Sequence, residues 1–398
     1  MAGAVAVILA GPNATVNRTI FSNRALVFVG LISYPLYIWH WPLISYAYVI
    51  RLSKPPTPLM ATALLVASFL LAWATYRFIE CPVRFGTHRH RNTWLVAIAV
   101  AALGVCGLIV WTQGGFPERF PPLPGIDVRK IGDAKLDADF KPTKGMAVSN
   151  HDWTLVAHLG HGERKVALSG DSVLFHYGPR VQELADEGQL TASTYFVTGP
   201  RCPPVPGVIQ QDRFASCGNL PDKLIDLVRR EKVQSVVLGA FWSGYSAEGM
   251  LIEREGKRLP LTTREGTDAF YANLADHVRL LQGEGAKVYL VLGVPNHPRF
   301  NPGQMVARRL TGFQIAPAVE QAVPVAELRA PHSSADTKLR AVGAHTGATL
   351  LDPFPDICGA GETCSPFFGE GEPKFSDGTH LRPVFVQQNM RFLDPLLK

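Results

Sequence analysis

Three long segments near the start of the chain contain no Asp, Glu, Lys or Arg, and they constrain the fold more than any other feature. The segments are residues 25–50, 59–76 and 95–113. A helix needs roughly 20 mostly apolar residues to cross a bilayer, and buried helices of soluble proteins are usually shorter and carry a polar stripe. Tryptophans lie within or near the ends of the three segments, as membrane interfaces favour. The sequence therefore predicts transmembrane helices within residues 1–113.

The first ten residues, MAGAVAVILA, are also apolar, but a helix of that length spans only about 15 Å. They lack the basic residues that precede the apolar part of a secretory signal peptide. We therefore expect the chain to begin inside a larger membrane domain.

The distribution of basic residues predicts the orientation of the helices and excludes one class of partner. The connection 77–91 carries four arginines and two histidines, whereas the connection 51–58 carries one arginine and one lysine. An excess of Arg and Lys marks the cytoplasmic side of a membrane protein, so everything after Gly114 is expected on the opposite side. The net charge is only +6, and no dense basic run occurs outside residues 84–91. We therefore expect no nucleic-acid partner.

The cysteines divide between the membrane part and the part that follows it. Cys81 and Cys106 are single cysteines of the membrane region. The other four form two close pairs, Cys202 with Cys217 and Cys358 with Cys364. Paired cysteines outside the cytoplasm are typical of disulfides, and no His or Cys spacing here matches a zinc site. We predict two disulfides and no metal, with buried unpaired thiols as the alternative.

The part of the chain after the membrane segments has the pattern of an α/β domain. Residues 114–150 are rich in proline, glycine and charged residues, which predicts a linker. Strands are predicted at 166–169, 192–198, 235–238, 287–294 and 349–352. Helices are predicted at 174–187, 220–231, 267–282 and 333–346. This alternation favours a parallel sheet with helices on both faces, and hence a three-layer α/β/α domain over residues 151–398.

Two short stretches carry the residues that point to chemistry. In LSGDSVLFHYG, residues 168–178, Ser172 follows the first predicted strand, and parallel sheets bind ligands beyond the carboxyl ends of their strands. In FSDGTHLRP, residues 375–383, Asp377 precedes His380 by three positions. A serine nucleophile needs a base within hydrogen-bond reach and an acid that orients the base. We predict Ser172 as nucleophile, His380 as base and Asp377 as the orienting acid.

Simpler interpretations of the same residues stay open. Ser172 and Asp377 could form ordinary turns, and His380 could be a surface or capping histidine. His176 lies four residues after Ser172 and could compete as the base. A helix that begins at the serine would point His176 away from the strand end, so we favour His380.

A GDS turn after the first strand, combined with D-x-x-H near the C terminus, resembles the SGNH hydrolase superfamily. The run GLISYPLYIWHWPL (30–43), followed a helix later by YRFIECPVR (76–84), resembles the last helices of the acyltransferase-3 family. The two are fused in bacterial surface-polysaccharide O-acetyltransferases of the O-antigen acetylase type, whose cysteine pairs are also similar. The resemblance implies a multi-pass protein of the bacterial inner membrane with a periplasmic SGNH-like domain.

The same resemblance implies an O-acyltransferase of the SGNH serine type, which passes an acyl group such as acetyl through Ser172 to a glycan hydroxyl. The acceptor is expected to be a surface polysaccharide, such as lipopolysaccharide, or a lipid-linked glycan. Acyl-CoA is the expected ultimate donor, and no tightly bound cofactor is implied. A further membrane acyltransferase subunit is an expected partner. A periplasmic carbohydrate esterase and a catalytically weak remnant that assists such a subunit stay open as alternatives.

The SGNH pattern also implies an oxyanion hole and substrate contacts. The backbone candidates for the oxyanion hole are Ser172, Gly199 and Gly239. Phe241 stands where the pattern usually has an asparagine, and a phenyl ring cannot donate a hydrogen bond. Substrate contacts are predicted at Trp242, Asn296 and His297, although the last two could instead cap their loop.

Overall fold

The structure, a computed structural model, describes most of the chain. The described residues are 5, 7, 9–51, 55–116, 127–140, 147–151, 154–210, 217, 219–246, 249–309, 312–315 and 322–398. The chain divides into two compact units, Met1–Pro122 with Ala307–Gln314, and Leu123–Val306 with Ile315–Lys398.

Three helices of the first unit are long and apolar enough to cross a membrane. They are α1 (Arg24–Ile50), α2 (Pro58–Thr75, continued by a π-helical turn at Tyr76–Glu80 and a short helix at Cys81–Phe85) and α3 (Arg89–Thr112). The side chains of Asn23 and Thr57 cap α1 and α2 by accepting backbone N–H groups of the first turn. Protein buries at most 11% of the most apolar stretch of each helix, as lipid-facing helices require. The three predicted spans are confirmed as candidate membrane helices.

The second unit is built around a seven-stranded sheet. Its strands are β1 (Ala147–His151), β2 (Thr154–Leu159), β3 (Lys165–Gly170), β4 (Ser193–Thr198), β5 (Ser235–Gly239), β6 (Lys287–Val291) and β7 (Thr349–Leu351). Their order across the sheet is β1-β2-β4-β3-β5-β6-β7. The five strands β3 to β7 run parallel to one another. β1 and β2 extend the sheet beyond β4 in antiparallel pairing. β3 therefore lies at the centre of the sheet.

Helices cover both faces of this sheet. They include α5 (Ser172–Phe175), α6 (Gly178–Asp186), α7 (Leu220–Glu231), α8 (Arg264–Gly283), α9 (Ser333–Thr346) and α10 (Pro383–Asn389). A further helix, α4 (Val128–Leu136), precedes β1 and packs through Ile131 against Met305. Successive side chains of a strand point to opposite faces. Accordingly, Ala167 of β3 joins the core formed with α7, α8 and α9, while Val166 and Leu168 join the core formed with α5, α6 and α10. The predicted three-layer α/β/α fold is confirmed.

Shorter elements lie in the connections. Short helices lie at Asn17–Phe21, Trp242–Ser246, Pro298–Phe300, Pro302–Met305, Val325–Arg329, Ala330–His332, Phe354–Cys358 and Asp394–Leu397. A three-stranded sheet joins Val208–Gln210, Met250–Arg254 and Lys257–Pro260. Two-stranded pairs join Val306–Arg309 with Gly312–Ile315, Val323–Pro324 with Thr363–Cys364, and Phe367–Phe368 with Glu372–Pro373.

Several of these elements differ from the sequence predictions. The antiparallel strands β1 and β2 and the three-stranded sheet were not predicted, and α4 lies within the predicted linker. The helix predicted at 174–187 is two helices, α5 and α6, because the chain turns at His176 and Tyr177. α6 then begins at Gly178, with Pro179 in its first turn. Proline is favoured in the first turn of a helix because its missing N–H has no partner there.

Two disulfides close loops of the second unit. The structure joins Cys202 to Cys217 with an S–S distance of 2.06 Å, and Cys358 to Cys364 with one of 2.13 Å. Each bond of this kind contributes roughly 2–4 kcal/mol of stability by constraining the unfolded chain.

Candidate active site

The turn between β3 and α5 holds Ser172 at the carboxyl end of the central strand. A Cβ atom at Gly170 would lie 1.7 Å from the carbonyl oxygen of Gly239, so only glycine allows the ends of β3 and β5 to approach this closely. Asp171 follows, and its Oδ1 accepts the backbone N–H of Val173 at 2.8 Å, which caps α5. The turn places Ser172 as the first residue of α5, at the edge where parallel sheets bind ligands.

Asp171 ties this turn to the end of the neighbouring strand β5. The carboxylate is buried, and its Oδ2 accepts the backbone N–H of Phe241 at 2.8 Å and the hydroxyl of Tyr245 at 2.6 Å. Burial raises the pKa of Asp171, and the hydrogen bonds that it accepts act in the opposite direction. Burial also raises the pKa of Tyr245 well above its ordinary value, so the phenol keeps the proton that it donates. Phe241 therefore contributes to the site through its backbone.

The three predicted catalytic residues meet in one chain of hydrogen bonds. The Oγ atom of Ser172 lies 2.9 Å from Nε2 of His380, although the two residues are 208 positions apart. The other ring nitrogen of His380, Nδ1, lies 2.7 Å from Oδ2 of Asp377. These distances meet the geometric requirements of a serine nucleophile, which needs a base within reach of its proton and an acid that orients the base.

A tight turn fixes the carboxylate of Asp377 against the imidazole. Oδ1 of Asp377 accepts the backbone N–H groups of Thr379 at 2.6 Å and of His380 at 2.8 Å, which leaves Oδ2 for the ring. Burial alone would raise the pKa of Asp377, but these hydrogen bonds and the one from the ring hold it well below its usual value. A charged carboxylate favours the proton on Nδ1, and Nε2 is then available to accept the serine proton.

His176 does not act as the base in this arrangement. It is fully buried beside His380, and their ring centroids are 6.4 Å apart. Among the described residues, neither ring nitrogen of His176 has a hydrogen-bond partner. Burial holds the pKa of His176 well below its ordinary value, so the ring stays neutral.

The three backbone candidates for the oxyanion hole have different environments. The N–H of Ser172 makes no hydrogen bond to any described residue and lies at the start of α5. The N–H of Gly199 donates to the carbonyl of Gly170 at 3.1 Å, so the sheet already uses it. Gly239 is the last residue of β5 and pairs with Gly170. The N–H of Ser172 is therefore available as a donor, whereas that of Gly199 is already paired with Gly170, and the oxyanion roles of the three residues stay predictions.

The predicted substrate contacts have three different outcomes. The structure does not support Trp242, because its side chain is buried and its indole N–H donates to the carbonyl of Val291 at 2.8 Å. The Nδ1 atom of His297 accepts the N–H of Arg299 at 3.2 Å, so this histidine caps its loop. Asn296 is half-buried, and its Oδ1 would lie 3.8 Å from a Cβ atom at Gly378, beside the turn that carries His380.

Three residues that shape the site were not predicted. Asp171 had a detectable signal, because an aspartate directly before the first residue of a helix is a common N-cap. Tyr245 and Phe140 had none, because they lie in a short helical turn and an irregular segment, respectively, that are distant in sequence from Ser172. The ring of Phe140 stacks on His380 with a centroid separation of 5.5 Å.

Comparison with known proteins gives matches in sequence and in structure. Residues 142–394 match the family model described as an SGNH domain fused to AT3 domains. A 65-residue stretch is 35% identical to the peptidoglycan O-acetyltransferase OatA of Listeria monocytogenes, and it covers 16% of this chain and 10% of that relative's length.

Two solved structures are similar to the chain. One is the periplasmic domain of a lipopolysaccharide acetyltransferase from Salmonella ser. Paratyphi A, with 15% identity and a TM-score of 0.42 over 57% of this chain and 80% of that chain. The other is a GDSL-like lipase from Bacteroides thetaiotaomicron, with 12% identity and a TM-score of 0.32 over 59% of this chain and 85% of that chain. The family match covers more than half of the chain and includes Ser172, Asp377 and His380.

Proposed function

The chain belongs to the family of SGNH domains fused to AT3 domains, and from this premise we propose that it is a membrane-anchored O-acyltransferase with Ser172 as its nucleophile. The observation that carries the proposal is the hydrogen-bond chain from Ser172 through His380 to Asp377, with distances of 2.9 and 2.7 Å. An acetyl group is the proposed cargo, and a hydroxyl of a cell-surface polysaccharide is the proposed acceptor.

In the first half-reaction, Oγ of Ser172 attacks the carbonyl carbon of an acyl ester or thioester, and Nε2 of His380 takes the hydroxyl proton. The bond from that carbon to the leaving oxygen or sulfur then breaks. The leaving group departs with the proton, and the acyl group stays on Ser172. The charged Asp377 stabilises the imidazolium, and the N–H of Ser172 is available to the oxyanion.

In the second half-reaction, a sugar hydroxyl gives its proton to Nε2 of His380 and its oxygen attacks the acyl carbon. The bond between that carbon and Oγ of Ser172 breaks, and the serine recovers the proton. Water in place of the sugar would give a free acid, which is the esterase alternative. By its name, the Listeria relative acts on peptidoglycan, which supports a polysaccharide acceptor here.

The proposed location is the bacterial inner membrane, with the second unit in the periplasm. The arginine-rich connection 77–91 and the three candidate membrane helices support this orientation. The two disulfides support it independently, because such bonds persist in oxidising compartments. In this proposal the ultimate donor is cytoplasmic acyl-CoA, and a further membrane acyltransferase subunit is a proposed partner for its delivery.

A test of this function uses the full chain in detergent micelles, with p-nitrophenyl acetate as donor and de-O-acetylated peptidoglycan or lipopolysaccharide oligosaccharides as acceptors. Nitrophenolate release measures acylation, mass spectrometry of the glycan measures transfer, and free acetate measures hydrolysis. We expect an ester on the glycan that requires Ser172. Acetate as the sole product at every acceptor concentration would indicate an esterase, and the absence of both products would indicate a non-catalytic remnant.

A further inference from the structure

Residues 127–140, here called the leading segment, belong to the second unit and pack against the rest of it, although they precede the matched family region. Lys130 of α4 donates from Nζ to the carbonyl of Glu370 at 2.9 Å, and the same atom lies 3.7 Å from Oε1 of Glu372. Ile131 is buried and packs against Met305. Both polar and apolar contacts therefore hold the leading segment against the rest of the second unit.

A buried arginine connects the end of the leading segment to the turn that carries the base. Arg382, two residues after His380, donates from Nε to Oδ2 of Asp137 at 2.9 Å and from Nη1 to Oε2 of Glu372 at 3.0 Å. Hydrogen bonds between ionised partners are stronger than neutral ones, and burial reduces their screening. The position of the leading segment is thus coupled to the position of the base.

The last described residue of the leading segment covers one face of the base. The ring of Phe140 stacks on the imidazole of His380 with a centroid separation of 5.5 Å and an interplanar angle of 30°. The centroid of its ring also lies 6.2 Å from the centroid of the buried His176 ring. Stacking occupies the face of an imidazole, whereas hydrogen bonds lie in the plane of its ring. Phe140 can therefore restrain His380 without displacing Ser172 or Asp377.

We propose that Phe140 is a positioning residue that holds the imidazole of His380 and limits the access of water to the acyl-enzyme. This inference rests on the proposed function. His380 activates whichever hydroxyl reaches Nε2, and bulk water greatly outnumbers sugar hydroxyls. A phenyl ring offers water no strong hydrogen bond, and exclusion of water protects a reactive intermediate from hydrolysis. The leading segment thereby sets the ratio of transfer to hydrolysis.

The test compares Phe140→Ala, Phe140→Trp and the control Leu136→Ala in the full chain. Leu136 is a suitable control because it belongs to the same segment and is 86% exposed. We expect Phe140→Ala to raise the ratio of acetate to glycan ester by about threefold to tenfold, which is the effect of losing the stabilisation of one aromatic pair from the transfer step. The nitrophenolate burst should persist. Phe140→Trp keeps an aromatic ring at this position and should keep the wild-type ratio, and Leu136→Ala should leave the ratio unchanged. An unchanged ratio in folded Phe140→Ala would overturn the proposal.

A second variant, Asp137→Asn, tests the proposed role of Phe140 if Phe140→Ala does not fold. It weakens the contact with Arg382 and leaves the phenyl ring in place, so we expect a smaller rise in the same ratio. A wild-type ratio in folded Asp137→Asn would then overturn the proposal. Wild-type protein that forms no glycan ester would refute the proposed function itself, which separates that failure from a failure of the role of Phe140.

Discussion

Ser172→Ala is expected to lower the turnover of an activated acetyl ester by on the order of 10⁴- to 10⁶-fold, as removal of the nucleophile does in other serine triads. Alanine has no oxygen to carry the acyl group. The hydroxyl of Ser172 contacts only His380 among the described residues, so the stability of the fold should change little. Turnover is followed by nitrophenolate release, and thermal unfolding monitors the fold.

Ser243→Ala is the matched control for this variant. Oγ of Ser243 lies 3.1 Å from Nδ1 of His332, so this pair also places a serine hydroxyl beside a histidine ring in the same unit. His332 is buried, and its Nε2 has no partner among the described residues. We expect Ser243→Ala to keep nearly wild-type turnover. Loss of turnover in Ser243→Ala, with turnover retained in Ser172→Ala, would show that the nucleophile is wrongly assigned.

Asp377→Asn is expected to reduce kcat by on the order of 10⁴-fold while leaving the fold intact. Two backbone N–H groups hold Oδ1 of Asp377, so the amide oxygen of an asparagine should take that place. Its NH₂ group would then face Nδ1 of His380, which forces the ring proton onto Nε2. A protonated Nε2 cannot accept the proton of Ser172.

Steady-state kinetics of Asp377→Asn, with Asp226→Asn as control, test this expectation. Asp226 lies on the exposed face of α7, so removal of its charge should not affect turnover. A loss of less than about tenfold in folded Asp377→Asn would be well below the cost of a wrong tautomer and would contradict the role of the carboxylate.

Local patterns predicted most of the central layers of the second unit. The predicted helices 220–231 and 333–346 coincide with α7 and α9, because their apolar residues recur with helical spacing and the chain leaves the helix at Lys232 and at Gly347 in a left-handed conformation. The antiparallel strand β2 was missed because its apolar pattern is interrupted by His158. That ring stacks on Tyr195 and contacts Oγ of Ser193 at 2.7 Å, and only pairing with β4 reveals these contacts.

The candidate triad was predictable because each of its members lies in a short motif with a chemical meaning. Other parts of the site depend on long-range packing. Trp242 follows a strand end, but the 3-10 turn at Trp242–Ser246 directs its indole into the core. Phe140 lies in a stretch whose composition is typical of a linker, and its contact with His380 depends on the docking of α4. No local pattern reports such contacts.

The most direct test of the account is mass spectrometry of the Ser172 peptide after brief exposure of the full chain to p-nitrophenyl acetate without an acceptor. We expect an acetyl group on Ser172 that is absent from Ser172→Ala and is lost when a glycan acceptor is added. Consumption of the ester with an unmodified Ser172 peptide, or acetylation at another residue that proves to be on the path to product, would contradict this expectation.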